Sequence, residues 1–413
     1  MRKLLTLVSA FGLSGTCFAA DPAALVSSPL KMPSAEAIRQ IAVPAPAAPA
    51  GNDRWWSVNF VGSAHKAQMT ASLKFMGGET PDMDRAGTIL LTGTNDESAH
   101  LPDAKLNNGG KPEELWYGKE PRSLGGVLSN YEHFKFNEAY ARLGTICHLT
   151  QDQAVPTHAA NIKHGTNDSF EGYAADGNKV KIPSARDSGE MEPYAYYQDL
   201  QDDTRRHLAG WVNPRTGAPY WVPAKDAPPL GTDATFGSWG SYGPNGDVYS
   251  VREQSNIGDG GSNNNQQTTE SPEIRLRQLT MAGAATVGVL RSASKRLPPL
   301  VQNLSVTQSG NNASLKFTVL DNRSRKVTYG VSVYLGNALV QAPGSAEASL
   351  NDPASPDLML KGEVTASVDL SGLPPGTYTL DARVTDADGN TTPDEVNSDD
   401  IGENDTKAAV TVR

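Results

Sequence analysis

Apolar and polar positions change rhythm once along this chain, at the paired prolines 298 and 299. From residue 55 up to that point, apolar residues recur at three- and four-residue intervals. Between Asn130 and Thr150, Phe134, Leu143, Ile146 and Leu149 stand among good helix formers, and no proline intervenes before Pro156. That spacing predicts a helix of about five turns. The same reading places helices over 64–76, 129–152, 191–211 and 271–295, the last opened by Ser271 and Pro272 as cap and first position. Its alanine- and glycine-rich middle suits close helix packing.

After Pro299 the period drops to two. The runs 314–320, 326–335, 364–370, 377–386 and 407–412 alternate and are separated by turn residues, the pattern of an immunoglobulin-like β-sandwich. The expected fold class is a mostly α-helical domain over 55–298 followed by an all-β immunoglobulin-like sandwich over 299–413. Between the last two helices lies an irregular region carrying Trp211, Tyr220, Trp221, Trp239 and Tyr242. Those aromatics either line a pocket for a lipid or quaternary ammonium group or anchor their loops. A stretch rich in glycine, asparagine and glutamine follows at 255–268.

The amino end reads as an export signal. Arg2 and Lys3 precede an apolar run through Leu13, and Cys17, Phe18 and Ala19 lead into Ala20 and Asp21, which predicts cleavage after Ala19. A lipid anchor on Cys17 is the alternative, poorly served by Thr16. Residues 42–52 are rich in proline and alanine, so 20–54 is expected to be a leader, propeptide or linker. Cleavage after Arg54 would free the amine of Trp55; if the leader stays, Trp55 and Trp56 are core aromatics. The expected location is secreted or periplasmic. Without Arg2 and Lys3 the chain holds 34 basic and 46 acidic residues, a net charge of −12. Such a surface repels polyanions, so no nucleic acid partner is expected.

Cys147 is the only cysteine beyond the signal, which excludes an intramolecular disulfide in the exported chain. It suits a small buried apolar role. No Gly-x-Ser-x-Gly occurs, which counts against a covalent hydrolase. The acidic run Asp386 to Asn390 lacks calcium-loop spacing, with Thr391 where glycine is needed and Asn397 where glutamate should close the loop.

Histidine distribution carries the chemistry. Three of the seven histidines, His148, His158 and His164, fall in one 24-residue window with Asp152, Asp168 and Glu171. Neutral imidazole with carboxylate is the ligand set of catalytic zinc. His148 and Asp152 stand four residues apart on one helix face, and Pro156 ends or kinks that helix before His158. His133 and His207 match nothing in this pattern and read as structural or solvated.

The stretch HLTQD, then AVPTH, AAN, His164 and DSFEGY resembles the secreted bacterial zinc-dependent phospholipase C family. That family is related in fold to zinc-dependent single-strand nucleases, whose Gly-Gly-Asn element is replaced here by Asp168 to Glu171. The resemblance is specific over about 141–173 and looser across 55–295. It implies a zinc-dependent phospholipase C/nuclease-like domain with up to three zincs per chain. One would take Asp96, His100, His148 and Asp152; a second His158, His164 and Glu171, with Asp168 competing for the place of Glu171. A third would take His65, the amine of Trp55 and a bridging Asp152. Asp96 would be the catalytic carboxylate that orients or deprotonates the attacking water. The implied activity is hydrolysis of a glycerophospholipid, most plausibly phosphatidylcholine, to diacylglycerol and a phosphorylated headgroup, with a phospholipid membrane as partner and the carboxy-terminal region as a docking module. A single-strand nuclease or nucleotidase, or a non-catalytic surface-binding protein, are the other readings.

Overall fold

The computed structural model describes residues 64–94, 112–118, 125–162, 170, 182, 189–212, 217–231, 238–243, 272–354, 357–393 and 406–413. Nine helices appear among them: α1 (Ala64–Met76), α2 (Pro81–Arg85), α3 (Gly87–Thr94), α4 (Pro112–Tyr117), α5 (Val127–Glu132), α6 (Phe136–Asp152), α7 (Pro156–Ala159), α8 (Ala195–His207) and α9 (Pro272–Arg296). The helix expected over 129–152 is two. His133 leaves α5, Phe134 takes a left-handed φ of 60°, and α6 begins anew at Phe136. Ring packing accounts for the break: Phe136 meets Tyr131 edge-on at 5.2 Å and Phe134 at 6.1 Å, contacts that a continuous helix would separate.

The expected fold class is corrected. About 39% of the described chain is helix and 30% strand, so a mostly α-helical domain is not shown. Three sheets are present among the described residues, and one lies among the helices: β1 (Trp221–Pro223) pairs antiparallel with β2 (Gly240–Tyr242) in the region expected to be irregular. Burial of aromatics forces that pairing. Tyr220 and Trp221 are enclosed, so their peptide groups must find partners, and Tyr220 N donates to the carbonyl of Trp211 while Gly243 N donates to that of Tyr220.

The carboxy-terminal strands are β3 (Leu300–Ser309), β4 (Asn312–Asp321), β5 (Lys326–Leu335), β6 (Ala338–Gln341), β7 (Ala346–Ser349), β8 (Leu360–Asp369), β9 (Gly376–Thr385) and β10 (Lys407–Val412). They form a three-stranded sheet ordered β3-β4-β8 and a five-stranded sheet ordered β10-β9-β5-β6, with β7 also on β5. Five strands were expected and eight are present among the described residues. β3 escapes a period-two reading because its pairing with β4 slips between Gln302 and Ser305, where Asn303 has a φ of 58°. β8 alternates buried and exposed positions along its whole length. Phe317, Val319, Val333, Leu380 and Val384 are fully enclosed between the sheets.

A second apolar cluster joins α1, α3, α6, α8 and α9 and takes in Leu300, Leu320, Leu358 and Met359 from the strand region. At this junction Asp82 is fully enclosed and accepts from Ser294 Oγ at 2.7 Å, Asn322 Nδ2 at 2.9 Å and Tyr140 Oη at 3.3 Å. Arg85 donates to the carbonyl of Leu358 at 2.7 Å and to that of Asn322, and Asn390 Nδ2 donates to the carbonyl of Lys295 at 2.7 Å. Asp386 shapes its own turn, accepting the backbone N–H groups of Asp388 and Asn390, an Asx arrangement. Among the described residues no helix is long and apolar enough to cross a membrane.

Burial, with Asp386 and Asp82 nearby, raises the carboxyl of Asp321 to about 7, against the two backbone N–H groups of Arg323 and Ser324 that favour its charged form. A folded-state value above the unfolded one means the folded chain holds this proton more tightly. Stability from Asp321 is therefore present below about pH 4 and is lost as pH rises through 7. We expect urea midpoints to fall between pH 5 and pH 8, and Asp321→Asn, which imitates the protonated acid, to flatten that fall by about 1–3 kcal/mol. An equal pH dependence in the variant would contradict this.

Candidate metal centre

Close packing of α3 on α6 builds one wall of the site. A Cβ on Gly93 would lie 1.9 Å from the carbonyl oxygen of Ala141, and one on Gly144 would lie 2.4 Å from that of Leu90. Only hydrogen fits at either position, so the two backbones touch. This approach brings the carbonyl oxygen of Thr94, at the end of α3, to 2.7 Å from His148 Nδ1 on α6. Cys147, the neighbour of His148, is buried in the apolar core, where desolvation pushes its thiol well up and keeps it from acting as a nucleophile.

α1 supplies the opposite side. His65 lies in its first turn, fully buried, with Nδ1 2.8 Å from Gln151 Oε1 on α6. Its ring stacks on that of His148 with centroids 3.9 Å apart and planes 17° from parallel. Both Nε2 atoms then face one carboxylate. His65 Nε2 is 3.2 Å from Asp152 Oδ1, and His148 Nε2 is 3.6 Å from Asp152 Oδ2. His158 on α7 approaches the same oxygen, its Nδ1 at 3.9 Å from Asp152 Oδ2, and is the partly exposed member, at 24% against 1% for His65 and His148. The exposed edge of the cluster is therefore at His158.

The turn that carries His158 is pinned from two helices. Thr204 Oγ1 on α8 donates to the carbonyl of Gln153 at 2.6 Å, Gln201 Nε2 donates to Gln153 Oε1 at 3.0 Å, and Gln278 Nε2 on α9 donates to the carbonyl of Ala154 at 2.6 Å. Pro156 then opens α7 at its first position, where a missing N–H costs nothing.

His65, His148 and Asp152 can each offer one ligand atom within 4.8 Å of the others, so this buried group could hold a metal ion. The donor set fits a divalent cation. Each imidazole has its Nδ1 directed at a carbonyl-type oxygen, which leaves Nε2 to the cation, and outer partners of this kind are usual for metal-bound histidine. Two imidazoles and a carboxylate suit zinc.

Of the other candidates from sequence, Trp55, Asp96, His100, His164, Asp168 and Glu171 lie outside the described residues. His133 is remote from the cluster in role: buried, with Nδ1 2.6 Å from the carbonyl oxygen of Ser129. His207 stacks against Trp211 at 6.0 Å and lies near Asp203. Trp211, Tyr220, Trp221 and Trp239 are at most 8% exposed and pack on one another or under Arg205, so they anchor the β1–β2 region. Sequence reading missed Thr94, Gln151 and Thr286, the residues that orient the histidines; nothing local marks them. No protein-family model and no curated protein matches the chain.

Proposed function

We propose that this chain is a zinc-dependent phosphodiesterase of phospholipase C type, hydrolysing glycerophospholipids with phosphatidylcholine as the favoured substrate. The observation that carries the reading is the convergence of His65 Nε2 and His148 Nε2 on the Asp152 carboxylate, with His158 at the exposed edge. The resemblance over 141–173 supplies the reaction class. His65, His148 and Asp152 would hold one ion, and His158 with His164 and Glu171 would extend the set toward three. Bound zinc supplies Lewis acidity for phosphoryl oxygens and for the attacking water.

The chain's own residues do the positioning. The stacked imidazoles and the buried carboxylate exclude water from the inner side, so a phosphate group would enter past His158. Asp96, two residues beyond the Thr94 that meets His148, is the proposed carboxylate that orients and deprotonates the nucleophile. The chain's net charge of −10 disfavours a polyanionic substrate and favours a zwitterionic headgroup. An export signal over 1–19 fits action on lipid outside the cytoplasm.

The test is release of water-soluble phosphorus from phosphatidylcholine vesicles, with single-stranded DNA as a parallel substrate. We expect phosphocholine to appear, to stop on addition of a chelator and to return with zinc. DNA cleavage without lipid hydrolysis would favour the nuclease reading, and chelator-insensitive or absent hydrolysis of both substrates would overturn the proposal.

A further inference from the structure

Hydrogen-bond directions through α9 determine which nitrogen of His65 is left for a cation. Thr286 is buried in the middle of α9, and its Oγ1 lies 2.8 Å from the carbonyl oxygen of Ala282 one turn earlier. A carbonyl oxygen only accepts, so the hydroxyl proton is committed to Ala282. The same Oγ1 lies 3.0 Å from the side chain of Gln151 and can then only accept from it. That fixes the amide: Nε2 of Gln151 points at Thr286, and Oε1 points at His65 Nδ1, 2.8 Å away. An amide oxygen cannot donate, so Nδ1 must carry a proton. On the neutral ring Nε2 is then the nitrogen that can offer its lone pair to a cation beside Asp152, while without a cation the Asp152 carboxylate 3.2 Å away can hold a second proton on Nε2.

We propose that Gln151, locked by Thr286, is a positioning residue that selects the Nδ1–H tautomer of His65 and so prepares the site for metal. The inference rests on the metal reading above but concerns a residue that touches no cation itself. Its work is directional. Gln151 ties α1, α6 and α9 together at one point, and all three of His65, Gln151 and Thr286 are at most 1% exposed. With water excluded, no solvent molecule can stand in for a lost acceptor, and the imidazole would be free to turn its protonated nitrogen toward the site. His148 has a separate orienting acceptor in the carbonyl of Thr94, so the two histidines are set by independent means.

Two measurements test this on the full chain. Long-range proton–nitrogen correlation of the metal-free wild-type protein should find His65 Nδ1 protonated; an Nδ1 without a proton would overturn the proposal whatever the variants do. Zinc affinity, read by competition with a chromogenic chelator, should weaken about 10–100-fold in Gln151→Leu, the range typical for loss of an outer-shell partner. Gln151→Glu keeps an acceptor facing Nδ1 but gives up the donor to Thr286, so it should lose less affinity than Gln151→Leu, and Thr286→Val should likewise give a smaller loss than Gln151→Leu. A role in packing alone predicts the reverse order, because a buried carboxylate disrupts more than a leucine of similar size. Equal zinc affinity in wild type and Gln151→Leu would sink the proposal and leave the metal centre standing. Failure of the wild type to take zinc would remove the metal centre, while the tautomer of His65 would still decide the role of Gln151.

Discussion

Asp152→Asn is expected to abolish tight zinc binding at the site of His65 and His148 and, with it, phosphodiester hydrolysis. The carboxylate is the only acidic group in the described cluster, and both buried imidazoles aim at it. Asparagine keeps the size and leaves α6 intact but removes the negative charge that offsets the cation, and its NH₂ group would place protons where ligand lone pairs are required. The loss at that site should exceed the about 10–100-fold typical of an outer-shell change, so chelator competition should find at least one fewer tight site per chain than in the wild type. The check on specificity is His158→Ala. His158 stands farther from Asp152 and is partly exposed, so its loss should weaken metal binding less than Asp152→Asn does. Zinc retained at wild-type affinity in Asp152→Asn would show that this group is a hydrogen-bonded cluster and nothing more.

Gly93→Ala should be strongly destabilising for a single added methyl. The added carbon would lie 1.9 Å from a backbone carbonyl oxygen, and a backbone cannot rotate aside as a side chain can. α3 and α6 would have to separate. Overpacking of this kind costs about 1–3 kcal/mol, and the value here should fall at the upper end. Separation would also carry the carbonyl of Thr94 away from His148 Nδ1, so weakened metal binding should accompany the lost stability. Gly210→Ala is the control, since nothing lies within 4 Å of its added carbon. Urea denaturation of the metal-free proteins reads the first effect, and zinc titration of the folded variants reads the second. Wild-type stability in Gly93→Ala would mean that the two helices are not in backbone contact.

Parts of this architecture were readable in the sequence because they are local. The helix read over 64–76 is α1, and the strand read over 326–335 is β5, each with its own period intact. His148 and Asp152 meet for the same reason: a spacing of four places two side chains on one helix face. The break at Phe134 was not readable, because it arises from rings packing across a turn rather than from proline or glycine. β1 and β2 were missed because three-residue strands carry too little alternation to register. The contact between Gln151 and Thr286 spans 135 residues, and no spacing rule reaches that far. What patterning leaves out here is chiefly the direction of buried hydrogen bonds, and that direction is what prepares His65.

The central claim is that His65, His148 and Asp152 are ligands and not a metal-free hydrogen-bonded group. Metal content of the purified full chain, measured by plasma mass spectrometry after exhaustive dialysis against metal-free buffer, tests it most directly. The account predicts at least one zinc per chain in the wild type and at least one fewer per chain in Asp152→Asn prepared alongside. A wild-type protein that emerges without zinc, and takes none up on titration at neutral pH, would contradict it.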